Sequence, residues 1–514
     1  MTTTTIKDGN LGASHIGAYV QPEDGSARDQ LRQIKSRSTT TGTVDAAWTS
    51  TASVTSVRVW TPGDVPVRAT GSGSTTTVVS SPHASITNEP DSYWLAKGYH
   101  LIAAGGQNAG KASKVTAFAT SGGTFTIADA VTSTVADELW LLRKRLRPEG
   151  QVTFDLNRKE IARTIVGYGD AAPSVMVNYD GSVGFNLPVR GLTASAGNAT
   201  AAVAPVEMSD LLAAIFTQTL DTGDLSAPSS SGNVINVTTG GSRWSVGGFM
   251  LAPTGEVGQV RSIASTAITV GPSHITAASV EEEAAVYASS WYQRKATDFR
   301  TFCFDYFMGG LFRKVAHGCM PTLTVSITRD QMVSFAFKYM VAEGHEYTLS
   351  TWVTPAATLP IANLDTTVPF DAKGSRCLFN GVNVLMDNLT IDFGFVPVLR
   401  NSLTGSNQSD GCMMTLKPQG GTFTIKSDED DRSSFEDVVD LMNRRASLDF
   451  LYQKGSAPGN TWAVAVPALQ VVSAPQKYTA GQGEYAAKWA AIRPQDIPGN
   501  SFNAALPALS MGWL

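Results

Sequence analysis

"GGLFRKVAHGCMPTLTVSITRDQMVSFAFKYMVAEG", residues 309–344, decides the fold class. A bend at Gly318 leads into "TLTVSIT" (322–328). Side chains alternate along a strand, so Leu323, Val325 and Ile327 share one face and Thr322, Thr324, Ser326 and Thr328 the other. A charged turn follows at Arg329-Asp330. Beyond it, Val333, Phe335 and Phe337 continue the apolar face opposite Ser334, Ala336 and Lys338. The pattern predicts a β-hairpin over 322–342 with one face in a core and one face of hydroxyls.

The same grammar occurs earlier, in "ARTIVGYGDAAPSVMVNYDGSVGFNLPVRG" (162–191). Val175, Val177, Val183, Phe185 and Leu187 can face a core, while Asn178, Ser182, Gly184 and Asn186 face away, with Asp180 at the expected turn. This predicts a first hairpin over 174–190. Exposed sheet faces usually carry Lys, Glu and Arg for solubility. These faces carry hydroxyls and amides, with charge gathered near the turns. Such a surface suits something that must slide past without sticking.

At 514 residues the chain has room for three or four domains of roughly 150 residues each. Charged residues make up 16 %, and β-branched residues broken by Gly and Pro favour short strands and turns, so the expected class is mainly β. The formal charge of -5, with no long basic tract, argues against a protein that grips nucleic acid by its phosphates. The opening "MTTTTIKDGNLGASHIG" lacks the basic and apolar regions of an export signal. No apolar run approaches a membrane span, so no membrane insertion is expected. Cys303, Cys319, Cys377 and Cys412 are too dispersed for a disulfide scaffold or a zinc site, and are expected as reduced, buried thiols in a protein made in the cytoplasm.

A second internal repeat interleaves with the hairpins. Residues 93–145 and 243–295 each carry a Trp (Trp94, Trp244) four residues before a Gly (Gly98, Gly248) that is followed by an aromatic (Tyr99, Phe249). Each continues with a Val-led strand and a Thr-centred strand, and ends on Trp140 or Trp291 and a basic pair. Short alternating strands at close turn spacing predict small β-barrel-like modules. The expected order is an N-terminal segment (1–44) belonging to a framework, module 1 (45–147), a first framework half (148–221), module 2 (222–296) and a second framework half (297–514). One helix accompanies each half. "PVEMSDLLAAIFTQTL" places Met208, Leu211, Leu212 and Ile215 on one stripe, predicting a helix over 206–220. "SSFEDVVDLMNRR" opens with a capping box and closes on Arg444-Arg445, predicting a helix over 434–445.

Catalytic and metal signatures fail on inspection. "GGQNAGKA" (105–112) has phosphate-loop spacing, but Ala112 stands where the Mg²⁺-binding hydroxyl belongs, and a strand follows where a helix is needed. "DEDDR" (428–432) lacks the Gly of a calcium loop. His317 and Cys319 flank a bend with no orienting Asn or Asp in evidence. No Gly-x-Ser-x-Gly elbow or His-Glu-x-x-His occurs. The expectation is a protein without enzymatic activity, cofactor or metal.

These stretches resemble the tail tube proteins of long-tailed phages, of the non-contractile, siphovirus-type kind. The likeness is clearest in "FCFDYFMGGLFRKVAHGCMPTLTVSITRDQMVSFAFKYMVAEG", in "FNGVNVLMDNLTIDFGFVPVLRNSLTGSN" with its Leu-Thr-Ile-Asp pattern, and in "WAVAVPALQVVSAPQKYTAGQGEYAAKWAA". "GQVTFDLNRKEIARTIVGYGD" with "SDLLAAIF" is similar to a first half of the same design. The resemblance implies a duplicated tail-tube β-sandwich framework with a flanking helix per half and two small insertion modules. It further implies rings stacked into a hollow tube in the virion tail, assembled in the host cytoplasm. The tube would enclose a tape-measure protein, adjoin tail terminator and distal tail proteins, and pass DNA as cargo. The doubled framework implies trimeric, pseudo-hexameric rings, with a hexamer of whole chains as the alternative. Thr324, Ser326, Thr328, Asp330, Ser334, Asn178, Asp180, Ser182 and Asn186 become lumen-lining candidates on an acidic-to-neutral wall. A rival of another class is a virion surface adhesin whose β modules bind carbohydrate through exposed Trp94, Trp140, Trp244 and Trp291.

Overall fold

The computed structural model describes residues 5–7, 19–22, 32–38, 41–44, 57–60, 66–69, 74–79, 99–103, 108, 112–119, 123–128, 130–132, 139–144, 146, 148–164, 171–192, 208–221, 229–231, 233–237, 243–252, 254–272, 289–308, 312–348, 369–401, 409–426, 440, 447–473, 476–479, 482–497 and 505–514. The protein is mainly β. It divides into two compact units. One holds residues 1–147, 303–316 and 344–364, and the other 148–302, 317–343 and 365–514.

The first unit contains two antiparallel sheets. Five short strands between Thr5 and Trp60 form one. Six strands form the other, in the order Pro66–Arg68, Leu139–Lys144, Tyr99–Ala103, Ala112–Ala119, Thr124–Ile127, Thr77–Val79. Its core gathers Leu101, Val115, Phe118, Phe125, Ile127 and Trp140. The phosphate-loop-like segment connects the Tyr99–Ala103 and Ala112–Ala119 strands, as expected of a hairpin turn, and Asn108 within it donates to the Thr132 carbonyl at 2.8 Å.

The second unit is built on long strands. β1 (Glu149–Thr164) and β2 (Ala171–Pro188) form an antiparallel pair. A helix, α1 (Ser209–Ile215), runs into β3 (Phe216–Asp221). Module 2 then contributes β4 (Val234–Asn236), β5 (Phe249–Leu251), β6 (Val257–Ala264) and β7 (Ala267–Gly271), paired in the order β4-β7-β6-β5. β8 (Ser289–Arg294) returns to pair with β3. Further strands include β9 (Phe312–Thr328, in this unit from residue 317 on), β10 (Ser334–Val341), β11 (Met386–Asp392), β12 (Phe395–Asn401), β13 (Ser409–Leu416) and β14 (Gly420–Lys426). They are followed by β15 (Ser447–Ala457), β16 (Asn460–Ser473), β17 (Gln482–Ala491) and β18 (Ser510–Trp513).

These strands run continuously in the order β1-β2-β10-β9-β11-β14-β17-β16. The amino-terminal half of β16 instead pairs with β18, which continues through β8 to β3. Aromatic side chains bridge the two arms. Phe335 of β10 lies 6.0 Å from Trp462 of β16 and 6.2 Å from Trp513 of β18, between ring centroids. Phe216 meets Phe393 and Phe395 edge-on at 5.1 and 5.4 Å. Such edge-to-face pairs stabilise beyond the area they bury.

Two expectations change. The region 174–190 is not a hairpin but part of the single strand β2, and the connection to its partner β1 falls at 165–170, outside the described residues. Asp180-Gly181 reads as a turn in sequence. Gly181, however, sits between two strands, where a Cβ would stand 3.1 Å from both the Asp155 carbonyl oxygen and the Val341 Cβ. The glycine serves close strand approach, a use that sequence alone does not distinguish from a turn. The helix expected over 206–220 ends at Ile215, and Phe216 adopts extended backbone. Its stripe is as expected, with Met208, Leu211, Leu212 and Ile215 all buried. The next residues pair with β8 over six positions, because the β-branched alternation of "TQT" suits a strand and the Phe216 ring enters the aromatic core. Of the helix expected over 434–445 only Asp440 is described, and it is helical; the rest lies outside the described residues, as does "DEDDR".

The module repeat is visible in topology. The strands at 99–103, 112–119, 124–127 and 77–79 pair in the same order as β5, β6, β7 and β4. The modules differ in their last strand. Trp140 lies in a strand of its own module's sheet, whereas Trp291 lies in β8, between β3 and β18.

Candidate functional site

The hairpin over 322–342 forms as the alternation predicts. Gln331 N–H donates to the Thr328 carbonyl at 3.1 Å, closing the turn, and Asp330 takes a left-handed φ of 61°. Leu323, Val325, Ile327, Val333, Phe335 and Phe337 are all buried. On the other face Thr324 is exposed, and Ser326, Thr328 and Ser334 are half-buried. The Gly318 bend appears as a left-handed residue, φ 63°, inside β9.

The structure brings both candidate segments onto one surface. β2 and β10 pair antiparallel over eight positions, Gly181↔Val341 to Pro188↔Ser334. Half-buried Ser182 and exposed Asn186 therefore lie on the same face as Ser334. Register continues the face across further strands. One row reads Asn186, Ala336, Thr324, Asp392, Gly420, Ala490, and the next Ser334, Ser326, Thr390, Thr422, Lys488. Six strands at ~4.8 Å spacing make the surface about 24 Å wide. Asp330 stands apart at the turn tip, paired with Arg329 at 3.5 Å, both strongly exposed. The Asn178 and Asp180 backbones face Lys159 and Asn157 of β1, and their side chains lie outside the described set.

The face is sparsely charged and mixed in sign. Lys338, Lys488 and Asp155 are exposed, while Asp392 is held by Lys417 at 2.7 Å and by the Gly394 amide at 2.8 Å. The acidic-to-neutral expectation thus becomes a near-neutral wall. A groove of about 490 Å³ runs across it, lined by Thr324, Thr390, Asp392, Lys417, Thr422 and Lys488. Thr390 and Thr422 hydrogen-bond to each other across its floor. Apart from Thr324, these lining residues were not among the candidates. The signal was present in the alternation of "NLTID" (388–392) and "GTFTIK" (421–426).

Other candidate chemistry is absent among the described residues. No cluster of His, Cys, Asp or Glu there could hold a metal ion. None of the four cysteines is in a disulfide; Cys319 and Cys377 are buried, Cys303 and Cys412 half-buried. Burial pushes the Cys377 thiol up to about 12 and Cys412 to about 11, which keeps both from the thiolate form at neutral pH. Trp140, Trp244 and Trp291 are core residues at 0 %, 3 % and 2 % exposure, so none offers a stacking platform for a sugar. Trp94 lies outside the described residues. No helix among the described residues is long and apolar enough to cross a membrane. A search among known families and curated proteins finds no match to this chain.

Proposed function

We propose that the protein is a structural subunit of a phage tail tube of the non-contractile, siphovirus type, polymerising as stacked rings into the conduit for DNA ejection. The observation that carries this reading is the pairing of β2 with β10. It joins the pairs β1–β2 and β9–β10 edge to edge within one chain, with a hydroxyl-lined face on one side. Neighbouring subunits of a ring need the same edge-to-edge pairing between chains. β1 has only β2 as a partner among the described residues, leaving an edge for a second copy. On this reading the chain is a duplicated tube framework with a flanking helix per half, three chains close one pseudo-hexameric ring, and the modules decorate it. Its partners are further copies of itself, the tape-measure protein, the tail terminator and distal tail proteins, with DNA as passing cargo. The molecule is assembled in the host cytoplasm and resides in the virion tail.

Electron microscopy of the purified protein tests the assembly, and rings or hollow filaments with three chains per turn are expected. Rings of six whole chains would overturn the stoichiometry, and a persistent monomer at high concentration the reading itself. The carbohydrate-adhesin reading has no supporting observation, since three of its four tryptophans are buried.

The near-neutral face makes a second prediction. Substituting Thr324, Ser326 and Ser334 together by Lys places three cations on the wall and attracts phosphates. Tubes are expected to form normally while DNA ejection slows at low salt and recovers at high salt. Unchanged ejection kinetics with normal tubes would place this face away from the lumen.

A further inference from the structure

Residues 222–288, which carry module 2, leave the second unit's long sheet at Asp221 and return at Ser289. The two are register partners at the end of the β3–β8 pair. Module 2 therefore joins the sheet at the Asp221–Ser289 end of this pair, and it packs on the sheet through Val257, Gln259 and Arg261. The Asp221 side chain is buried at 1 % exposure. Its Oδ1 accepts a hydrogen bond from the Ser245 hydroxyl at 2.9 Å, and Ser245 belongs to the module. No donor reaches Oδ2 in hydrogen-bond geometry, and the Trp291 indole N–H likewise meets no acceptor. Both atoms converge on Gly248, where a Cβ would overlap Oδ2 and stand 2.9 Å from the indole nitrogen.

The segment held this way is a tight turn. Gly248 N–H donates to the Ser245 carbonyl at 3.0 Å, and Gly247 N–H to the Val260 carbonyl at 2.8 Å. The groups packed around the carboxyl are Ser289 and Trp291 from β8, and Ser245 and Gly248 from the turn. Burial dominates and pushes Asp221 up to about 6, against the smaller opposing effects of Ser245 and Trp291; no cation contributes. The charged pairs of the same interface, Arg261–Asp449 and Arg376–Glu256, lie elsewhere along it.

We propose that Asp221 is a pH-operated latch: its neutral carboxyl holds the Trp244–Gly248 turn of module 2 against the end of the β3–β8 pair, and its ionisation loosens that turn. An acid whose value is raised in the closed state favours closure while it is protonated. The closing contribution is complete below the ordinary carboxyl value of 3.8, falls as pH rises toward about 6, and is flat above. The separation of the two values corresponds to an opening equilibrium that rises about 100-fold across that window.

Hydrogen exchange of the full chain, read by mass spectrometry on peptides covering 244–251 and corrected for intrinsic rates, tests this. Protection of the Gly247 and Gly248 amides is expected to fall up to about 100-fold between pH 4 and 6.5 and then level. In Asp221→Asn the fall is expected to vanish. Ser245→Ala removes a donor to the carboxylate and is expected to move the fall to higher pH, a result readable even if Asp221→Asn does not fold. Protection independent of pH in the wild type, the same fall in Asp221→Asn, or an unmoved fall in Ser245→Ala would each overturn the proposal.

Discussion

Gly421→Val is expected to destabilise the second unit by more than about 3 kcal/mol, well beyond the usual cost of adding bulk to a core. Gly421 sits in β14 between Ile391 of β11 and Trp489 of β17. A Cβ there would overlap the Thr390 carbonyl oxygen, lie 2.8 Å from its carbonyl carbon and come within 3.1 Å of the Trp489 ring. Backbone cannot swing aside as a long side chain can, so the clash must be relieved by separating β11 from β14. That separation breaks the sheet in the middle of the hydroxyl-lined face. Urea denaturation followed by tryptophan fluorescence measures the loss. Thr153→Val, at an exposed position of β1, is the control and is expected to shift stability by less than about 0.5 kcal/mol. Equal losses in both variants would refute the steric account.

Asp449→Ala is expected to cost about 3 kcal/mol, the lower end of the range for removing one partner of a buried ion pair, because Arg261 is buried while Asp449 is half-buried. Arg261 of β6 in module 2 is buried, and its Nη2 donates to Asp449 Oδ1 of β15. Its Nε and Nη1 have no hydrogen-bond partner, so Asp449 is the main compensation for the cation. Burial lowers the Arg261 value and raises that of Asp449, and each opposes the shift in the other. The same seam carries Gln453, which donates to the Gly255 carbonyl at 2.5 Å and accepts from Val257 N–H at 3.1 Å. Gln259 donates to the Ser510 hydroxyl at 2.6 Å. Replacing both charges, as Arg261→Met with Asp449→Leu, is expected to recover most of the loss, since apolar pairs of similar volume substitute well for buried ions. A double variant as unstable as Asp449→Ala would show that the charges hold the module by more than mutual compensation.

Sequence reading was most reliable where alternation and burial agree. Leu323, Val325, Ile327, Phe335 and Phe337 face the core as their spacing requires, and the turn at Arg329-Asp330 forms where its residues predict. It was least reliable where one residue type serves two physical ends. Gly181 next to Asp180 carries a turn signature, yet its space is taken by β1 and β10 on either side. Phe216 extends the helical stripe of α1 in sequence, but the aromatic cluster with Tyr292, Phe393 and Phe395 draws the chain into β3. Those partners are 76 to 179 positions away, beyond any local pattern. The candidate face was half legible for the same reason. Alternation marks Thr324, Ser326, Thr390 and Thr422 each on its own strand, but only strand register sets them, with Lys488, side by side.

The β2–β10 pairing also bears on association. Two separate molecules that met along this seam would lose translational and rotational freedom each time, a loss commonly estimated at about 4–15 kcal/mol. Within one chain that loss is already met by the peptide bonds, so the seam forms at a fixed local concentration whatever the dilution. Half the joints of a ring built on this plan would then be independent of protein concentration. Its assembly threshold would depend on the other half alone, and substitutions at β2 or β10 would appear as folding defects before they appeared as assembly defects.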